Sequence, residues 1–441
     1  MKSVKPYLLA SAALAAASPH PALLPQEILQ PSLSTPAQDY VLVPNALDDI
    51  INDSQFLSFH RDLVQISSIS GHEQEVGSFV AEFLQARNFT VVKQPVPAKE
   101  GGDQDRFNIY AYPSSVETPE VLLTSHIDTV PPFIPYSVER VESETAKSVN
   151  PNNDPSTIRI SGRGSVDAKA SVAAQVFAAL DILERQPDAS LGLLFVVDEE
   201  VGGAGMKVFS DSSLNPAPSS FKAVIFGEPT NLDLVSGHKG MLGFELVAKG
   251  HAAHSGYPWL GRSAISAILP ALSRVDQLGD IPAEEGGLPS SSKYGRTTVN
   301  IGRVEGGVAA NVVPSSARAN VAVRLAAGTP DEARDIVHRA VRDATDSNGD
   351  VHADFDARSE GYPPQDLDTD VAGFRISTVN YGTDVPNLKI HERADGRSVR
   401  RYLYGPGSIH VAHGDNEGLT IADLEEALQG YRKLIEAAMG R

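Results

Sequence analysis

No cysteine occurs among the 441 residues. That excludes disulfides, thiolate metal ligands and a cysteine nucleophile. Basic residues are in deficit too. Lys plus Arg is 37 and Asp plus Glu is 56, a formal net charge of 37 − 56 = −19. This balance argues against a nucleic-acid backbone as partner, while acid clusters are able to hold metal cations. Beyond the N-terminus no long apolar run appears, so no membrane partner is expected and the mature chain is expected to be soluble. A Gly-x-Ser-x-Gly elbow at a strand-to-helix turn is also missing, which discounts a Ser-His-Asp hydrolase. There are no internal repeats.

What is present is globular in character: hydrophobic residues make up 41% and charged residues 21%. The length exceeds what one core usually serves, so two domains are expected. The N-terminus "MKSVKPYLLASAALAAASPH" carries two lysines, then an apolar run from Tyr7 to Ala17, then small residues. This is the layout of a signal peptide over residues 1–17, with Ala15-x-Ala17 as cleavage site. Residues 18–45 are Pro- and Leu-rich and read as a leader or propeptide. Secretion is the expected localisation, and the sequons at Asn52 and Asn88 agree with a secreted glycoprotein.

Alternating elements begin near residue 46. "DDIINDSQFLSFHRDLVQI" and "GHEQEVGSFVAEFLQARN" read as helices. The apolar segments "EVLLTSHID", "SLGLLFVVDEE" and "FKAVIFGEP" read as buried strands, and "DAKASVAAQVFAALDILERQ" as an apolar helix. Such alternation predicts an α/β domain with a mostly parallel sheet flanked by helices. From residue 236 the strands alternate apolar and polar residues, and the order β-α-β-β-α-β predicts an inserted ferredoxin-like α+β domain over 236–356. Residues 46–235 and 357–441 form the α/β domain around it.

Five places carry metal-capable side chains, four of them just past apolar strands: "TSHIDTVPP", "GRGSVDAKA", "VVDEEVGG", "IFGEPTN" and "GPGSIHVAHGDNEG". Each alone has a bland reading. Asp167 suits a helix N-cap, and Glu199 with Glu200 suits a solvated turn. Together they converge, because ligands in open α/β sheets bind beyond the carboxyl ends of the strands. Two histidines and several carboxylates suit Zn²⁺, Mn²⁺ or Co²⁺. Five candidate ligands point to two ions sharing a carboxylate. Of the adjacent acids, one ligates and the other serves as general base.

These motifs, in this order, resemble the zinc-dependent hydrolase family of glutamate carboxypeptidase, aminoacylase, acetylornithine deacetylase and succinyl-diaminopimelate desuccinylase. The resemblance spans about residues 50–441. It implies two Zn²⁺ per subunit, with Co²⁺ or Mn²⁺ as substitutes. His126, Asp167, Glu200, Glu228 and His413 would be the metal ligands, with Asp167 bridging. Spacing alone leaves His410 open as the late ligand. Glu199 would be the general base for a metal-bound hydroxide. Asp128 would accept the other ring N–H of His126. The inserted domain resembles the family's lid and dimerisation domain, which implies a homodimer and substrate contacts from His254, Asn300 and Arg324. One departure is Ala170, where the family usually has glycine. The implied activity is cleavage of a peptide or amide bond beside a free carboxylate. A carboxypeptidase acting on small peptides and a deacylase acting on N-acyl amino acids are the two branches.

Overall fold

The computed structural model describes residues 46–98, 101–141, 154–355 and 361–440. The signal-peptide and leader expectations, and the domain boundary at 356/357, lie outside them. The stretch read as a first helical segment divides into Ala46–Asn52 and Gln55–Gln65. Ser54 makes the break: its side chain accepts the N–H of Leu57 at 3.3 Å and so starts a second helix.

A six-stranded sheet runs in the spatial order Phe89–Pro95, Phe107–Pro113, Leu191–Val196, Val121–His126, Ala223–Gly227, Arg400–Tyr404. Only Phe107–Pro113 opposes the common direction. The three central strands are buried at every residue. Burial on both faces is why they read as continuous apolar runs rather than alternating ones. On one face lie the helices Lys169–Arg185 and Ile421–Met439, which pack on each other. Ala170 is fully buried in this layer. The other face carries a smaller core with Leu122, Phe209 and Leu403. Truncating a core residue such as Leu123 to Ala would destabilise the fold by about 2–5 kcal/mol.

The inserted domain has its own core, built from Leu242, Phe244, Ile268, Val323, Val337 and neighbours. Its elements are Gly240–Lys249, helix Ala264–Asp276, Thr298–Gly306, Ser316–Leu325, helix Pro330–Ala344 and Val351–Asp354. The strands pair antiparallel, with Ser316–Leu325 and Gly240–Lys249 central and Thr298–Gly306 at one edge. That is the ferredoxin-like arrangement. Its second helix starts on a capping box, Thr329 with Glu332. The domain's own strands begin at Gly240, a few residues after the boundary read from sequence. Leu234–His238 instead joins a small sheet with Gln365–Asp366 and Ile376–Val379.

Candidate active site

His126 is the last residue of its strand and is 1% exposed. Its Nδ1 lies 3.0 Å from the backbone carbonyl of Asp128. A carbonyl only accepts, so Nδ1 carries the hydrogen, and in the neutral ring Nε2 keeps its lone pair for a cation. The sequence points the Asp128 carboxylate at this ring, and the structure corrects that. The nearest carboxylate oxygen is 3.6 Å from Nδ1, beyond a hydrogen bond. The carboxylate is engaged elsewhere. It accepts from Ser70 Oγ at 2.7 Å and from the backbone N–H groups of Glu199 and Glu200 at 3.0 and 3.2 Å.

Glu199 and Glu200 lie on a single 3₁₀ turn, Glu199–Val201, just past the strand Leu191–Val196. Asp198 enters the turn at φ 73. Below it, buried Arg106 donates to Asp198 at 3.1 Å and to Glu73 at 3.3 Å. Gly203 leaves the turn at φ 68, where a Cβ would collide with Asn387 and Asp384, so glycine is required. The turn is thus held from the Asp128 side, from beneath and at its exit.

Asp167 stands between the two histidines. Its Oδ1 is 3.1 Å from His126 Nε2 and its Oδ2 is 3.3 Å from His413 Nε2. It is not a helix N-cap, since the helix Lys169–Arg185 begins after Ala168. His413 Nε2 also lies 3.0 Å from Glu200 Oε2, and His126 Nε2 lies 4.0 Å from Glu228 Oε2. Two donor groups result, His126–Asp167–Glu228 and Asp167–Glu200–His413, the atoms of each within 4.8 Å of one another. His410 is exposed and belongs to neither group.

The electrostatics describe a crowd of acids. Burial, then the neighbouring Glu228, holds Glu199 well above the ordinary carboxylate value. Burial raises Glu228 and Glu200 as well, and other site carboxylates add to it. Burial would also raise Asp167, yet hydrogen bonds from His126 and His413 outweigh it and hold this acid low. Those same bonds, from Asp167 and Glu200, push His413 up to about 10. Burial opposes the charged form of His126, but Asp128 and Asp167 win and its pKa lies well above normal. Four carboxylates, Asp167 and Glu228 buried and Glu199 and Glu200 partly so, with two imidazoles and no sulfur fit divalent cations, whose charge would draw the raised acids back down.

Two further groups belong to this environment and were not singled out in the sequence. Asp384 is 5% exposed, shares a cavity with His126, Glu228 and Thr124, and has one carboxylate oxygen without a partner. Tyr381 is partly buried near Glu228, Asp167 and Glu199, and its hydroxyl donates to the Pro229 carbonyl at 3.0 Å. Both lie in "NYGTD", a segment with neither metal-ligand spacing nor strand periodicity.

The three residues expected at the substrate separate. Arg324 is partly buried near the end of the strand Ser316–Leu325, donates to Met241 Sδ at 3.6 Å and sits close to Tyr362 and Gly382. Burial raises the pKa of Tyr362, with Arg324 opposing the rise and Glu199 and Glu228 adding to it. His254 and Asn300 are exposed on the inserted domain and join neither donor group. His254 Nδ1 accepts the N–H of Gly256 at 3.0 Å, and Asn300 lies on the edge strand.

Comparisons with known proteins agree on one family. Residues 236–350 match the peptidase dimerisation domain of the M20 family. A "Probable carboxypeptidase" of Aspergillus terreus is 74% identical over 100% of both chains. Among solved structures, a tripeptidase from Staphylococcus aureus aligns with TM-score 0.65 at 22% identity, covering 89% of this chain and 100% of that one. An M20 family metallo-carboxypeptidase from Sulfolobus solfataricus aligns with TM-score 0.62 at 17% identity, covering 88% and 100%. These two show the same fold. With whole-length identity to the Aspergillus protein and the matching domain, the chain belongs to the M20 family of peptidases.

Proposed function

We propose that this chain is a dinuclear metallohydrolase, a carboxypeptidase that releases residues bearing a free C-terminal carboxylate. The observation that carries the reading is Asp167, shared between two histidine–carboxylate groups. The name carried by the 74% identical relative supports it. His126, Asp167 and Glu228 would hold one cation, and Asp167, Glu200 and His413 the other, with Zn²⁺ first and Co²⁺ or Mn²⁺ as substitutes. Such a pair supplies Lewis acidity for activating water and polarising the scissile carbonyl. Glu199, held through its backbone by Asp128, takes the proton of the attacking water and delivers it to the leaving amine. Arg324 would pair with the substrate carboxylate. His254 and Asn300 would act as oxyanion and substrate donors in the site of a second copy.

The test is metal analysis of purified protein together with a substrate panel. Dipeptides with free C-termini, the same dipeptides amidated, and N-acetyl amino acids separate the branches. Cleavage of the free dipeptides alone supports the carboxypeptidase. Turnover of only the N-acetyl amino acids sinks it in favour of the deacylase.

Export is also proposed, from the signal-like residues 1–17. N-terminal sequencing of protein from culture medium would show a start after Ala17, whereas an intact N-terminus retained in cells would overturn the idea. Asn52 and Asn88 are both exposed, as glycan acceptors require.

A further inference from the structure

Arg163 and Glu417 form an ion pair at 2.7 Å in which each side chain is 1% exposed. Neither belongs to the two donor groups, yet between them they touch three segments that build the site. The second oxygen of Glu417 accepts the backbone N–H groups of Val166 and Asp167, both at 3.1 Å. Arg163 donates to the carbonyls of His413 and Gly414 at 3.3 Å each, and to the Pro132 carbonyl at 3.2 Å. The pair therefore ties the backbone of Asp167 directly to that of His413, and both to the segment that follows His126.

His413 needs such a tether. Its side chain is 50% exposed, so burial does not hold it. Its backbone sits at φ 64, a conformation non-glycine residues adopt only when their surroundings impose it. A buried ion pair is weak evidence of stability, because apolar replacements often leave the fold as stable as before. Its geometric specificity is greater: a planar guanidinium donates in fixed directions. We propose that the Arg163–Glu417 pair is a positioning device that sets the spacing of Asp167 and His413, and thereby the affinity of the Asp167–Glu200–His413 group for its cation. This rests on the two-cation reading above.

Two variants test it, Glu417→Gln and the apolar double variant Arg163→Met with Glu417→Met. Metal-stripped protein is titrated with Co²⁺ by calorimetry and by visible absorption, and thermal melting is followed separately. Wild type should take up two equivalents. Each variant should bind the cation of the Asp167–Glu200–His413 group about 10–100-fold more weakly, and the other cation, which shares Asp167, should be weakened by a clearly smaller factor. The double variant should keep its melting temperature. In a His413→Ala background, adding Glu417→Gln should weaken the remaining equivalent by less than it weakens the more affected equivalent in the presence of His413. Wild type that binds a single equivalent overturns the two-cation reading. Wild type that binds two while both variants also bind two at unaltered affinity overturns the positioning role alone. Equal weakening of both equivalents, or a double variant that no longer folds, also overturns that role and makes the pair a general support of the fold.

Discussion

The carboxylate of Asp128 accepts the backbone N–H of Glu199 at 3.0 Å. One acid thereby sets the position of another across 71 residues of chain. The aspartate just past the strand aligns the Glu199–Val201 turn, and its backbone carbonyl, not its side chain, receives the ring N–H of His126.

Asp128→Asn separates these two duties. The amide keeps one acceptor oxygen and turns an NH₂ toward the other backbone N–H, so the Glu199 turn loosens. The carbonyl on His126 is untouched. Expected is a fall in kcat of about 10–100-fold with metal uptake at the wild-type level. Loss of bound metal on elemental analysis would show that the carboxylate orients the ring after all.

Glu199→Gln keeps the shape of the site and removes the carboxylate proposed as the base. A general base contributes about 10²–10⁴-fold, so kcat should fall by that factor while both metals stay bound. Near-normal turnover would assign the proton transfer to another group.

Stripping metal should destabilise the protein, and more so as pH rises. Burial raises Glu228 and Glu200, so the folded state holds protons that the unfolded chain releases from about 4.5 upward. His413, pushed up to about 10, likewise loses its contribution as pH climbs from 6.5. Both terms lower the stability of stripped protein as pH rises from 4.5 toward 10. Bound cations counter them and add mass-action stabilisation. The melting-temperature gap between loaded and chelated protein should therefore widen from pH 5 to pH 9. A gap that narrows would contradict the electrostatic account of the site.

His60 is fully buried, with Nε2 donating to the Ser165 carbonyl at 3.0 Å and Nδ1 unpaired. Burial lowers its pKa from 6.5 to about 4. Above pH 6.5 both states are neutral there. As pH falls from 6.5 to 4 the unfolded chain takes up a proton that the fold refuses, so stability is lost across that window. The loss amounts to about 3 kcal/mol. In denaturant titrations at pH 7 and pH 4.5, His60→Gln should lose correspondingly less stability than wild type. Equal losses would place the acid sensitivity elsewhere.

The inserted domain exposes Leu269 (56%) on its first helix, Val304 (58%) on its edge strand and Trp259 (73%) nearby. An edge strand with free backbone groups beside apolar side chains is a surface for pairing. We expect wild type to sediment as a homodimer, and Leu269→Glu with Val304→Asp to sediment as a monomer with an unchanged melting profile. A wild-type monomer would remove the second copy from the proposed roles of His254 and Asn300.

Much of this molecule is written locally in its sequence. The period-two strands and the Thr329 capping box specify the ferredoxin-like insert. Unbroken apolar runs specify the buried central strands, and the ligand types at their ends specify where the site must lie. These features are legible because hydrophobic burial and helix capping act over a few neighbouring residues. The break at Ser54 was equally local, yet the surrounding apolar pattern ran across it and obscured it. Tertiary structure alone decided the remainder. Which late histidine enters the site depended on the ring of His413 meeting Glu200, 213 residues away. Asp128 found the Glu199 and Glu200 backbone, Arg163 found Glu417, and Asp384 entered the acid cluster from a segment with no pattern of its own. Buried polar groups take whichever partners the fold brings to them, and no short-range periodicity encodes that choice.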